Sequence, residues 1–322
     1  MSHLLGVRRG LDACASPRGT FTVLALDHRQ NLRRELSPGD PDAATYDEMV
    51  GFKSAVVRAL AGTATGTLLD PEIGVARAVA DTALPGASGL IVALEATGYE
   101  GPPSARVSRL LPGWTAADAK RIGASGAKLL VYYHPEAANA AQQEELVAQV
   151  AAECRAVELP LFLEPLSFGL DGGRLVGEER RRVVVESAQR LTQLGADVLK
   201  AEFPYDVSVS DRGRWADGCE ELDASTAIPW VLLSGGVDDG TFEGQVEVAC
   251  IAGASGVLVG RSVWAGAATL ARPERERWLE DIGRSRLARL AALVERLGHP
   301  WRPRWTAAVR PDEPGEGWYL AP

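Results

Sequence analysis

The sequence predicts an α/β fold in which eight parallel strands close into a barrel, each strand followed by a helix. Three regularities point there. Short apolar runs recur eight times with helical stretches between them. Each run is apolar throughout rather than alternating, as strands buried on both faces require. Nearly every run also ends in a charged or polar residue. Packing alone does not produce that, whereas barrel chemistry sits at the C-terminal strand ends.

The elements follow in order. The first strand is 21–27, FTVLALD, and a helix is expected from about Tyr46 to Leu60 with Met49, Phe52, Val56, Val57 and Leu60 on one face. The second strand is 67–70, and Pro71 suits the first turn of the next helix. The third is 89–95, followed by a Gly/Pro/Ser-rich loop over about 97–108 and a helix over about 116–123. The fourth is 128–133, with Pro135 placed to open a helix carrying Leu146, Val147 and Val150. The fifth is 159–166, followed by the Gly169–Gly173 loop and a helix over about 178–194. The sixth lies in 195–204 and is closed by Pro204. A helix near 215–222, a strand at 230–236, a helix near 242–252 and a strand at 256–261 complete eight units. Helices over about 271–297 and a Pro/Trp-rich tail end the chain.

Eight units in 322 residues without a linker are read as one (β/α)8 TIM barrel domain, 1–322. The barrel covers about 20–266, and a C-terminal helical extension with its tail covers about 267–322. An open doubly wound sheet is the alternative, which the strand count disfavours.

Composition narrows the function classes. The apolar fraction of 46% suits a chain with a sizeable core, and the net charge of −9 argues against nucleic acid as a partner. A small anionic substrate needs only one cationic pocket and stays open. Cys14, Cys154, Cys219 and Cys250 are far apart and form no CxxC pair, so neither a disulfide framework nor a zinc motif is expected. No run approaches a membrane span and the N-terminus has no sustained apolar stretch, so a cytoplasmic protein is expected. His3, His28, His134 and His299 are scattered and no His/Asp/Glu cluster has ligand spacing, so no metal or cofactor is expected.

The strand ends carry the candidate chemistry. Lys200 stands near the C-terminal end of the sixth strand, among Val198, Leu199 and Phe203. A lysine there must reach water, pair with a carboxylate such as Glu202, or serve as an amine nucleophile, because burial disfavours the ammonium. Glu164 ends the neighbouring fifth strand, where it could exchange protons with a group bonded to Lys200. Lys128 begins the fourth strand, so its position slightly favours the barrel bottom. In the same layer as Lys200, the two cations would depress one another's pKa. Asp27, His28 and Asp70 follow the first two strands, although Asp70 before Pro71 reads equally well as a helix cap. Ser234-Gly235-Gly236 after strand seven and Gly260-Arg261 after strand eight read together as an anion site. Backbone N–H groups there have no Cβ in the way, and a guanidinium is at hand.

These segments resemble the class I aldolases of the tagatose-1,6-bisphosphate aldolase type and the related sulfofructosephosphate aldolases. The matching runs are 25–29 (ALDHR), 68–72 (LLDPE), 95–99 (EATGY), 128–133 (KLLVYY), 163–166 (LEPL), 197–202 (DVLKAE), 233–237 (LSGGV) and 260–265 (GRSVWA). The resemblance implies a lyase with Lys200 as Schiff-base lysine, Glu164 as acid/base and Lys128 as an active-site cation, against its positional reading. It implies a phosphate at Ser234, Gly235, Gly236, Gly260 and Arg261, a phosphorylated sugar as substrate, and no cofactor or metal. It further implies reversible cleavage of a tagatose-1,6-bisphosphate-like ketohexose phosphate to dihydroxyacetone phosphate and an aldehyde, or alternatively release of sulfolactaldehyde. Asp27, His28 and Asp70 are then expected on sugar hydroxyls or the far anionic group. Family members usually carry Gln where this chain has His28, and 204–230 follows neither subfamily closely. A sugar-phosphate isomerase or epimerase, and a non-catalytic sugar-phosphate sensor, are the alternatives from other classes. A homo-oligomer is expected, with Trp301, Trp305 and Trp318 available to cover a neighbour or the barrel's own base.

Overall fold

Each of the eight apolar runs forms a strand in the computed structural model, which describes residues 4–318; His3 lies outside the described residues. The strands are β1 (Phe21–Leu26), β2 (Gly66–Leu69), β3 (Gly89–Ala93), β4 (Gly126–Tyr133), β5 (Leu161–Ser167), β6 (Val198–Ala201), β7 (Trp230–Leu233) and β8 (Gly256–Val259). Each pairs in parallel with its neighbour, and β8 returns to β1 through Phe21↔Gly256, closing the barrel.

The helices fall before, between and after the strands. They are α1 (Leu5–Ala13), α2 (Gln30–Leu36), α3 (Tyr46–Leu60), α4 (Val75–Ala80), α5 (Ala116–Arg121), α6 (Ala140–Ala156), α7 (Gly177–Thr192), α8 (Arg212–Ser225), α9 (Asp239–Ala252), α10 (Arg261–Trp264), α11 (Arg272–Trp278), α12 (Arg284–Leu297) and α13 (Trp301–Val309). Helix α3 shows how locally the sequence acts. Thr45 accepts from the Glu48 N–H at 3.2 Å and Glu48 accepts from the Thr45 N–H at 2.8 Å, a reciprocal cap on the helix start. The face expected to be apolar is the buried one. Two prolines do less than expected. Residues 71–74 form a turn, so α4 starts at Val75 rather than Pro71, and α6 starts at Ala140, well after Pro135. Among the described residues no helix is long and apolar enough to cross a membrane.

The interior of the barrel is filled by every second residue of its strands. Phe21, Val23, Ala25, Leu68, Ile91, Phe162, Val198, Val231 and Leu258 form one buried cluster. Successive side chains on a strand alternate faces, so the next inward positions toward the C-terminal mouth are Asp27, Asp70, Glu95, Glu164, Lys200, Leu233 and Gly260. The fold thus turns apolar layers into a charged layer at one end.

The other end is closed by segments the sequence pattern did not mark as helices. Helix α1 and the tail helix α13 lie against the N-terminal strand ends, where Leu4, Val7, Leu11, Trp301 and Trp305 join the interior cluster. The tail covers the barrel's own base through Trp301 and Trp305, while Trp318 is 47% exposed. Trp305 is fully buried and its Nε1–H donates to Asp197 Oδ1 at 2.9 Å. Trp305→Ala is expected to cost about 3–5 kcal/mol, the usual range for emptying a buried aromatic site. Urea denaturation measures it, and a loss below about 1 kcal/mol would show the plug to be dispensable.

Candidate active site

The charged layer converges on one amine. Lys128 Nζ lies 2.7 Å from Asp27 Oδ2, 2.7 Å from Glu95 Oε1 and 2.8 Å from Glu164 Oε2. Its position explains this reach. Lys128 is level with Phe162 while Leu130 is level with Glu164, so its side chain climbs one pleat to the layer of carboxylates. Lys128 therefore belongs to the mouth, although its residue starts low on β4. Burial opposes the ammonium, but Asp27, Glu164 and Glu95 outweigh it and hold Lys128 well above the ordinary lysine value.

Lys200 comes next. It is buried on β6, and its Nζ forms an ion pair with Glu164 Oε1 at 2.8 Å. Glu164 thus stands between the two lysines, one oxygen on each. The cation–cation depression expected from the spacing does not apply to Lys128, because carboxylates rather than Lys200 dominate its field. For Glu164, burial favours the neutral acid, yet Lys128 and Lys200 together keep its carboxyl below the ordinary value. Asp27 is likewise held well below its ordinary value, by Lys128 and then Lys200 against the effect of burial. Glu95 goes the other way: burial raises it, although Lys128 and Arg29 oppose the rise.

The sequence reading gave three contributors no role in the site, although Arg29 and Glu95 lie in its matching runs 25–29 and 95–99. Glu95 lies two residues beyond Ala93 and four beyond Ile91, on their side of the strand. It accepts from Lys128 and from the Leu130 N–H at 3.1 Å. Arg29 donates to the Glu95 carbonyl at 2.8 Å and pairs with Glu72 at 2.5 Å. Lys53 interrupts the apolar face of α3 and is buried against Asp70. A lysine inside an apolar helical stripe was the available signal.

Asp70 is placed differently from the expectation. It has no exposed surface, one oxygen pairs with Lys53, and the other accepts from the Ile73 N–H at 2.7 Å. Both oxygens are occupied inside the protein, one on Lys53 and one on an N–H of the 71–74 turn, so Asp70 neither caps α4, whose N-cap is Gly74, nor keeps an oxygen free for a sugar. His28 also departs from the expected place. Its ring packs edge-on against Trp264 with centroids 5.2 Å apart, and its Cε1 would lie 2.9 Å from a Cβ on Gly260. It therefore sits on the β8 side of the mouth, not opposite it. Burial pushes its pKa down to about 4, with Asp27 acting against that shift and Arg261 and Lys200 adding to it, so the imidazole is neutral at pH 7.

The two glycine-bearing loops, after β7 and after β8, meet. Gly235 and Gly236 have φ of +56° and +80°, a conformation that favours glycine. A Cβ on Gly236 would stand 2.6 Å from Arg261 Nη2, so the missing side chain admits the guanidinium. Ser234, Gly235, Gly236, Gly260 and Arg261 are thereby brought together beside β7 and β8, with Arg261 also 3.8 Å from Glu35. This arrangement can hold a compact oxyanion, and Lys200 on β6 is next to it in strand order. No group of three or more His, Cys, Asp or Glu side chains among the described residues is placed to hold a metal ion.

Comparison with known proteins adds independent findings. A family model described as DeoC/LacD family aldolase matches residues 21–266. The chain is 29% identical to tagatose 1,6-diphosphate aldolase of Lactococcus lactis subsp. lactis, covering 91% of this chain and 97% of that one. It is 28% identical to tagatose 1,6-diphosphate aldolase 2 of Streptococcus agalactiae serotype III, over 92% and 98% of the two chains. Among solved structures it resembles a Schiff-base-forming fructose-1,6-bisphosphate aldolase, with a TM-score of 0.59 at 21% identity over 89% of this chain and 99% of that one. It also resembles the fructose-bisphosphate aldolase of Plasmodium falciparum, with a TM-score of 0.70 at 12% identity over 92% and 96%. At these identities the structural likenesses speak for the fold.

Proposed function

The chain belongs to the DeoC/LacD aldolase family, and we propose that it is a Schiff-base aldolase that cleaves a ketohexose phosphate to dihydroxyacetone phosphate and an aldehyde. As an aldolase it is a lyase. The observation that carries the proposal is the contact between Lys200 Nζ and Glu164 Oε1 at 2.8 Å, a buried amine beside an ionised carboxylate.

The chemistry follows from that pair. Glu164 takes a proton from Lys200, and the freed amine adds to the ketone carbon C2. The carbinolamine loses water, its oxygen protonated by Glu164, and leaves an iminium bonded to Lys200. A base removes the proton of the C4 hydroxyl, the C3–C4 bond breaks, and its electron pair passes into the iminium as the aldehyde departs. Glu164 serves as that base, since its carboxylate is kept ionised. The resulting enamine takes a proton at C3, and hydrolysis of the iminium returns Lys200 and releases dihydroxyacetone phosphate. Lys128, locked as ammonium by Asp27 and Glu95, holds Glu164 in place and stabilises negative charge developing on substrate oxygens. Ser234, Gly235, Gly236, Gly260 and Arg261 hold the phosphate on C1, which puts C2 over Lys200.

Borohydride reduction in the presence of dihydroxyacetone phosphate tests the reading. The expected product is a stable adduct on the peptide that contains Lys200. An adduct elsewhere, or none, removes the mechanism.

A further inference from the structure

A second cationic site stands across the mouth from the Ser234–Gly236 and Gly260–Arg261 loops. In a closed eight-stranded barrel β4 is four places from β8, so the ends of β4 and β5 face those loops. The loop after β3 crosses this region. On it, Arg106 lays its guanidinium among three rings, with Cζ 4.9 Å from the Tyr99 centroid, 5.8 Å from Tyr132 and 4.8 Å from Phe168. Tyr132 lies near the end of β4, and Phe168 follows β5 directly. Arg106 Nε donates to the Pro103 carbonyl at 3.1 Å and Nη2 to the Gly172 carbonyl at 3.2 Å, which fixes the plane of the group.

The counter-ion of Arg106 is the feature that needs an explanation. Four other arginines around the mouth have carboxylate partners: Arg29 with Glu72 at 2.5 Å, Arg109 with Glu100 at 2.9 Å, Arg180 with Glu202 at 3.1 Å and Arg261 with Glu35 at 3.8 Å, whereas Arg174 on the loop after β5 is exposed to water. Arg106 has only carbonyls and rings among the described residues, in a chain with 43 acidic against 34 basic side chains. A half-buried guanidinium stacked on aromatic faces and lacking a carboxylate is a ready receptor for an oxyanion. Tyr132 links it to the reacting groups, because Lys128, Arg106 and Glu164 all act electrostatically on its phenol. A ketose with its C1 phosphate beside β7 and β8 and C2 on Lys200 would extend its remaining carbons past Glu164 toward this box.

We propose that Arg106, framed by Tyr99 and Tyr132, binds the terminal oxyanion, phosphate or sulfonate, of the aldehyde half of the substrate. The assignment rests on the aldolase reading above. It moves the far-end contact from His28 and Asp70, which pack elsewhere, to a loop residue.

The condensation direction tests it. Dihydroxyacetone phosphate is offered with glyceraldehyde 3-phosphate, with sulfolactaldehyde, and with neutral glyceraldehyde. The wild-type protein is expected to favour at least one charged aldehyde over glyceraldehyde in kcat/KM by about 100-fold or more, and the larger charged arm identifies phosphate or sulfonate. Arg106→Met is expected to cut that preference at least tenfold through KM, and Arg106→Lys to fall between, since it keeps charge but loses the planar fork. If Arg106→Met does not fold, the Arg106→Lys ratio decides. An unchanged ratio, including equal losses on charged and neutral aldehydes, overturns the assignment, as does a wild-type protein with no preference. A normal adduct with dihydroxyacetone phosphate alongside an unchanged ratio rejects Arg106 alone, whereas a missing adduct rejects the aldolase reading itself.

Discussion

Lys200→Ala is expected to slow ketose-phosphate cleavage by at least about 10⁵-fold, the scale on which removal of a covalent nucleophile acts. It should also abolish the adduct trapped by borohydride. The effect is large because no neighbouring lysine can substitute. Lys128 is bound to three carboxylates and held as ammonium well above its ordinary value. Lys53 is buried against Asp70. The variant should fold, since Glu164 loses one cation but keeps Lys128 at 2.8 Å, and a buried carboxylate with a partner escapes the cost of an uncompensated charge. Calorimetry with dihydroxyacetone phosphate separates loss of chemistry from loss of the site: the variant should still bind the phosphate while turning nothing over. Cleavage within about 100-fold of wild type would eliminate the Lys200 Schiff base as the electron acceptor.

Much of this site was legible because a barrel strand has a strict period. Once Val198 faces inward, so does Lys200, and once Phe162 does, so does Glu164. Strand order then makes those two residues neighbours without any knowledge of coordinates. What the period does not carry is the stagger between strands. Lys128 stands near the start of β4 yet delivers its amine to the mouth, because its level on the barrel wall is set by pairing with β5 and by its long side chain. Asp70 illustrates the opposite error. It occupies an inward strand end, but Lys53 approaches from α3 and takes it out of the cavity, a tertiary contact with no signature at Asp70 itself.

Loops were the least legible. His28 and Arg106 both follow strand ends in regions without periodicity. One folds back on Gly260 and Trp264, and the other crosses to the aromatic rings of β4 and the β5 loop. Their positions follow from which side chains are absent or stacked nearby, not from spacing. The helix within the tail went unmarked for a related reason. Pro303 sits in the first turn of α13, where a missing N–H costs nothing, so a proline-rich segment could still be a helix and a plug.

Glu164→Gln is expected to lower kcat by about 10²- to 10⁴-fold, the range for removing a general acid–base group. It is the sharper test of mechanism, because the amide preserves shape and hydrogen bonding while removing proton transfer. Adduct formation with dihydroxyacetone phosphate should become slow but not vanish, since Lys200 remains and water can take its proton. The pH profile gives the sign. Burial alone would raise the Glu164 carboxyl, yet Lys128 and Lys200 outweigh burial and hold it below the ordinary carboxylate value. A base is active when deprotonated, so the acid limb of kcat/KM should lie below the ordinary glutamate range, with activity lost as pH falls through it. Glu164→Gln should erase that limb. Burial pushes the His28 pKa down to about 4, so persistence of the limb in His28→Gln excludes His28 and assigns it to Glu164. An acid limb near pH 6, or a Glu164→Gln variant within tenfold of wild type, would move the base to another group on the cluster, with Asp27 the next carboxylate on Lys128.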